Sequence, residues 1–115
     1  MTTKDGAQRP TPLALYGFLT PRPERRDDVR ELLSSLVAPT RAEEGNIEYH
    51  LHEQPDGRFF LYEVWRSRAD LDAHNAYPPL RDFLDHLLDY LVAPPEAYLD
   101  TMISPHPDVP APARG

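Results

Sequence analysis

Five histidines, nineteen carboxylic acids and no cysteine set the side-chain chemistry that this 115-residue chain can offer. Without a thiol it has no cysteine nucleophile, no thiolate metal centre and no disulfide framework. The densest grouping of reactive types is EYHLHEQPDGRFFLYEVW, Glu48 to Trp65, where His50 and His52 stand two residues apart beside several carboxylates. Histidines at that spacing leave a strand on the same side, which is one way to begin a metal site. Such a site needs three or four ligands. Alternation adds only Glu48 to that side, while Glu53 and Glu63 take the opposite parity in their own strands. His74 and His86 fall in helical stretches without the H-x-x-x-H or E-x-x-H spacings that bring ligands to one helix face. The His50 and His52 side is therefore expected to be a solvated face or rim, with no metal bound.

Other chemistries are excluded on similar grounds. There is no G-x-S-x-G, and Ser34 and Ser35 fall in the middle of an amphipathic stretch. The five glycines are scattered, no phosphate-cradling loop is present, and no nucleotide cofactor is expected. A formal charge of -7 with no basic face argues against a nucleic-acid partner. No apolar run approaches the roughly 20 residues needed to cross a bilayer, and no basic segment precedes a small-residue cleavage site, so no membrane partner and a cytoplasmic location are expected. What remains is an aromatic set with polar handles: Tyr16, Phe18, Tyr49, Phe59, Phe60, Tyr62 and Trp65, with His74 just beyond. Buried Tyr and Trp must satisfy a hydroxyl or an indole N–H, so this many together suit a cavity for a flat, partly polar ligand.

The elements that would position these residues follow from periodicity. Residues 1 to 12 read as a flexible lead-in, and 104 to 115, SPHPDVPAPARG, as a proline-rich flexible tail. Between them, 13 to 103 read as one domain. LALYGFL, closed by TPRP, suits a strand. After Pro23 the period becomes 3.6, with Val29, Leu32, Leu33, Leu36 and Val37 on one face, and this helix is expected to end near Pro39. NIEYHLHE alternates as a strand, QPDGR carries an Asp-Gly turn, and FFLYEVW returns as the second arm of a hairpin. Ser67 and Asp70 fit a capping box for a helix bearing Leu71 and His74. YPP interrupts it, and one longer helix is expected to carry Leu80, Phe83, Leu84, Leu87, Leu88 and Leu91, before EAYLDTMI forms a last strand. The order β-α-β-β-α-β is the ferredoxin-like α+β arrangement, an antiparallel sheet with helices on one face. Because the strands are apolar or aromatic at both parities, the second face needs a cover. A homodimer stacked sheet to sheet, a dimeric α/β barrel, is expected.

The run Glu43 to Leu84 resembles the antibiotic biosynthesis monooxygenase domain family, which includes small quinol and anthrone oxygenases. The resemblance rests on Glu43, Gly45, Asn46, Ile47, Tyr49, Phe59, Tyr62, Glu63, Trp65, Ser67, Leu71 and His74, and extends over about 90 residues of this chain. It implies a ferredoxin-like dimer with a hydrophobic pocket between sheet and helices, and oxygenation of a phenolic substrate by O2 with neither metal nor flavin. A base, donors for an oxyanion and an apolar ring pocket are what such a reaction requires. On that resemblance His74 and Trp65 are the expected catalytic residues, and Tyr49, Tyr62, Tyr16 and Phe83 are expected to bind a small aromatic substrate. The haem-degrading branch of the family carries a His about one turn after the position of Leu80, where this chain has Leu84. An isomerase or cyclase acting on a related carbonyl compound, or a dimeric ligand-binding module without turnover, are the alternatives.

Overall fold

The computed structural model describes residues 12–104. The expected lead-in and tail fall outside the described residues apart from Pro12 and Ser104. Four strands form one antiparallel sheet: β1 (Leu13–Leu19), β2 (Asn46–Glu53), β3 (Phe59–Trp65) and β4 (Glu96–Thr101), in the order β2-β3-β1-β4. The helices are α1 (Arg26–Arg41), α2 (Arg68–Asn75), α3 (Pro78–Asp85) and the short α4 (Leu87–Tyr90). This is the ferredoxin-like α+β fold.

Alternation divides the sheet into two faces. Tyr49, Glu63 and Leu15 lie across from one another along one row, as do Leu51, Leu61 and Gly17 along the next; both rows face the helices. The odd-numbered residues of β3 include Phe59 and Trp65, each at most 1% exposed. Val29, Leu33 and Leu36, spaced for one face of α1, pack onto Phe59 and Leu19, with Leu80, Phe83 and Leu91 closing the core from the other side. Burial of side chains of this size stabilises by about 1.5–3 kcal/mol each. Arg26 and Arg30 of α1 converge on Glu53 at the end of β2, at 2.8 and 2.6 Å, and hold its carboxyl down to about 2.

The hairpin turns where the Asp-Gly signal stands, with Gly57 at φ 96°, a conformation that side chains with a Cβ rarely adopt. The capping box at Ser67 also forms. The Asp70 N–H donates to Ser67 Oγ at 3.3 Å, and Ser67 Oγ donates to Asp70 Oδ2 at 2.8 Å. Ser67→Ala is expected to cost about 1 kcal/mol, measured by urea denaturation; an unchanged midpoint would mean that the α2 start is held by Arg66 and Asp70 alone.

Two helix boundaries differ from the sequence-based expectation. α1 runs through Pro39 to Arg41. The ring removes the hydrogen bond to the Ser35 carbonyl, but Ser35 is exposed, so that carbonyl is not left buried without a partner. The expected single long helix after Tyr77 is instead two, broken at His86, whose ring Nδ1 lies 2.8 Å from the Asp82 carbonyl, the acceptor that helix continuation would have used. As a result Leu88 turns outward at 53% exposure while Leu91 is fully buried.

Candidate active site

Between sheet and helices lies a cavity of about 140 Å³ with almost entirely apolar walls. β1 supplies Leu15 and Gly17, β3 supplies Leu61, and α3 supplies Leu80, Phe83 and Leu84. Gly17 leaves its position bare because an added Cβ would overlap the Glu96 carbonyl oxygen, where β4 pairs closely alongside β1. Pro95, Glu96 and Ala97 form one rim with Leu87, and Glu96 and Ala97 are exposed there.

The polar side chains cluster at the buried end. His74, 1% exposed, projects from the last turn of α2. Its Nδ1 lies 2.9 Å from Glu43 Oε2, in the turn after α1. The carboxylate accepts from Nδ1–H, which leaves Nε2 as the ring's acceptor. Nε2 faces Glu63 Oε1 across 4.0 Å. Glu63, 4% exposed, accepts from Trp65 Nε1 at 2.9 Å. Burial pushes the Glu63 carboxyl up to about 7; the Trp65 N–H opposes that, and the nearby Glu43 charge adds to it. The Trp65 ring lies 4.5 Å from the His74 ring, centroid to centroid, and Tyr49 meets the same ring edge-on at 5.9 Å. Burial, with the Glu63 charge, raises the Tyr49 hydroxyl above its ordinary range, so it remains a neutral phenol. Arg41 fixes that part of β2 by donating twice to the Tyr49 carbonyl, at 2.9 and 2.7 Å.

The expected site residues are therefore only partly brought together. Tyr49, His74 and Phe83 line the cavity. Trp65 stands behind it, supporting His74 and Glu63 rather than touching the open space. Tyr62 is on the opposite face of the sheet, stacked on His50 at 6.4 Å, so the expectation that it shares a pocket with Tyr49 and His74 is corrected. Its parity is even where that of Glu63 and Trp65 is odd. Tyr16 borders the cavity along β1, but its hydroxyl donates to Asp100 Oδ2 at 2.7 Å and its ring meets Tyr98, on that same opposite face. His50 and His52 also lie there; His50 pairs with Glu48 at 2.7 Å. Two lining residues, Glu63 and Asn75, and Glu43 behind His74 are not among the expected site residues. For Glu63 a signal existed, since the Asp56-Gly57 turn sets a register that places it opposite Tyr49 and on the same side as Trp65.

Glu43 and Glu63 address opposite nitrogens of one imidazole and so do not converge on a common point. No group of three or more His, Asp or Glu placed to hold a metal ion occurs among the described residues. No described helix is long and apolar enough to cross a membrane. What the arrangement offers is a proton acceptor with a fixed tautomer, an acid able to exist uncharged near neutrality, and an apolar enclosure that strengthens both.

The sequence profile of the antibiotic biosynthesis monooxygenase family matches residues 12–86. Rv0793 of Mycobacterium tuberculosis, provisionally named a monooxygenase, is 36% identical over 85 residues, 73% of this chain and 84% of that protein. Its solved structure superposes with a TM-score of 0.72, covering 78% of this chain and 93% of the other. YcnE of Bacillus subtilis, with the same kind of name, is 31% identical over 71% of this chain and 88% of its own length. PA3566 of Pseudomonas aeruginosa superposes with a TM-score of 0.69 at 29% identity, covering 83% of this chain and 95% of that one.

Proposed function

The chain belongs to the antibiotic biosynthesis monooxygenase family, and from that premise we propose that it oxidises a quinol, anthrone or similar phenolic compound with O2, using no metal or organic cofactor. The observation that supports this most is the buried His74, its Nδ1 held by Glu43 and its Nε2 turned to the end of an apolar cavity. His74 takes the phenolic proton. The resulting anion is delocalised and electron-rich enough to reduce O2 directly, so the substrate supplies the electrons. For a simple phenol the balance is phenol plus O2 giving quinone plus water. Tyr49 and Phe83 wall the ring, and Trp65 holds the orientation of His74 and Glu63.

Oxygen uptake by the full chain with a panel of hydroquinones, naphthols and anthrone tests this reading. Substrate-dependent uptake with quinone appearing in step is the expected result. No uptake, together with exchange of a carbon-bound proton in a carbonyl compound, would replace it with an isomerase acting through the same base.

The protein is further proposed to act as a homodimer. Phe18, Phe60, Tyr62 and Tyr98 share the sheet face away from the helices, where Phe18 and Phe60 lie 5.1 Å apart, and no described element covers them. On that face β4 leaves Tyr98 exposed at 59%. Sedimentation equilibrium is expected to give twice the chain mass for the wild type and a single chain mass for Phe60→Arg. A monomeric wild type would remove the proposal.

A further inference from the structure

Glu63 is the cavity's least explained residue, because burying a carboxyl is costly unless a partner uses it. Its Oε1 accepts from Trp65 Nε1, the one hydrogen bond to this carboxyl among the described residues, and is the oxygen turned toward His74. Facing it, His74 Nε2 stands 4.0 Å from Oε1, beyond direct hydrogen-bond reach, and accepts from no other described residue. Two buried polar groups that border one cavity and stop short of each other leave room for a single oxygen. Placed about 2.8 Å from both, across that 4.0 Å, such an oxygen would see them roughly at a right angle, close to the spread of a hydroxyl's donor and lone pairs.

We propose that Glu63 and His74 clamp the hydroxyl of a single-ring phenol or quinol, Glu63 donating from its acid form and His74 Nε2 accepting the ligand's proton. The assignment of roles follows from the surroundings. Glu43, from the turn after α1, fixes the donor at Nδ1 and the acceptor at Nε2 of His74. Besides His74, Glu43 and Tyr49 are the titratable groups near Glu63 from other elements, with Trp65 on its own strand, and none is a cation that would hold Glu63 charged. On deprotonation the ligand O–H bond breaks, its proton passes to Nε2, and the oxygen keeps the electron pair while Glu63 still donates to it. Ring size follows from volume: about 140 Å³ compares with engineered cavities of about 150 Å³ that admit benzene, so a three-ring anthrone would extend beyond the rim.

The catalytic use of this clamp rests on the oxygenase reading, but binding itself needs no O2. Calorimetric titration of the full chain under argon with phenol, anisole and anthrone therefore separates the two. Phenol is expected to bind at pH 6 at least tenfold more tightly than anisole, which lacks the proton to give, and more tightly than anthrone. Its affinity is expected to fall at least tenfold by pH 8.5 as Glu63 ionises. Glu63→Gln, which keeps an N–H donor, should bind phenol with a flat profile over that range. Equal affinity for phenol and anisole, tighter binding of anthrone, or a wild-type pH profile in Glu63→Gln would each overturn the clamp; the first two comparisons hold even if the variant does not fold. The expected binding pattern without oxygen uptake would keep the clamp and remove the oxygenase, and uptake without the pattern would do the reverse.

Discussion

Replacing His74 by Asn is expected to lower oxygen uptake by about 10²- to 10⁴-fold, the range usual for a positioned general base. The asparagine amide can still donate to Glu43 where Nδ1–H does now, across 2.9 Å. The acceptor facing Glu63 is lost. Phenol affinity should fall by about tenfold, the share that proton acceptance at Nε2 contributes, and so by less than turnover, because Glu63 and the apolar wall remain; the melting temperature should move by only a few degrees. Oxygen-electrode kinetics beside calorimetric binding make the comparison. Turnover within threefold of the wild type would show that the proton goes elsewhere, and Tyr49 would be the next residue to examine.

The second large effect concerns Gly17, which carries no reactive group. An added Cβ would overlap the Glu96 carbonyl and come within 2.7 Å of Ala97 Cα, both backbone atoms with no side-chain freedom to yield. Gly17→Ala is expected to destabilise by at least about 2 kcal/mol, which for a domain of this size lowers the melting temperature by about 8–16 °C. β4 pairs with β1 alone, so its strand should loosen first, and the rim at Pro95 to Ala97 with it. An unchanged melting temperature would mean that β4 shifts outward at little cost.

Period and parity explain why much of this architecture was legible. The 3.6 spacing of Val29, Leu33 and Leu36 and the alternation in NIEYHLHE each name a buried face, and the Ser67 cap and the Asp56-Gly57 turn mark where elements begin and reverse. The same parity separates Tyr62 from Trp65, so aromatic character alone does not place the two in one pocket. Local competition was less visible. Nothing in the leucine spacing after Pro79 reveals that the His86 ring takes the Asp82 carbonyl and ends α3. The pairing of Glu43 with His74 joins positions 31 residues apart through the packing of α2 against the end of β2 and β3, a distance that no local pattern measures. Glu63 lay between these cases, readable in side and register but not in the emptiness in front of it.

The cavity draws its apolar walls from most of the chain, but its proton-handling end and its rim come from different lengths of it. Its proton-handling end comes from Glu43 to His74, one continuous stretch, whereas the rim comes later in the chain, from Leu87 at the start of α4 and from Pro95 to Ala97 where the chain enters the edge strand β4. Insertions or exchanges after α3 can reshape what enters without disturbing the Glu43, His74 and Glu63 geometry. Such a scaffold is modular: a single acid–base centre can be inherited intact while the gate in front of it diversifies, and chimeras joined near His86 would exchange ligand range between relatives as a unit.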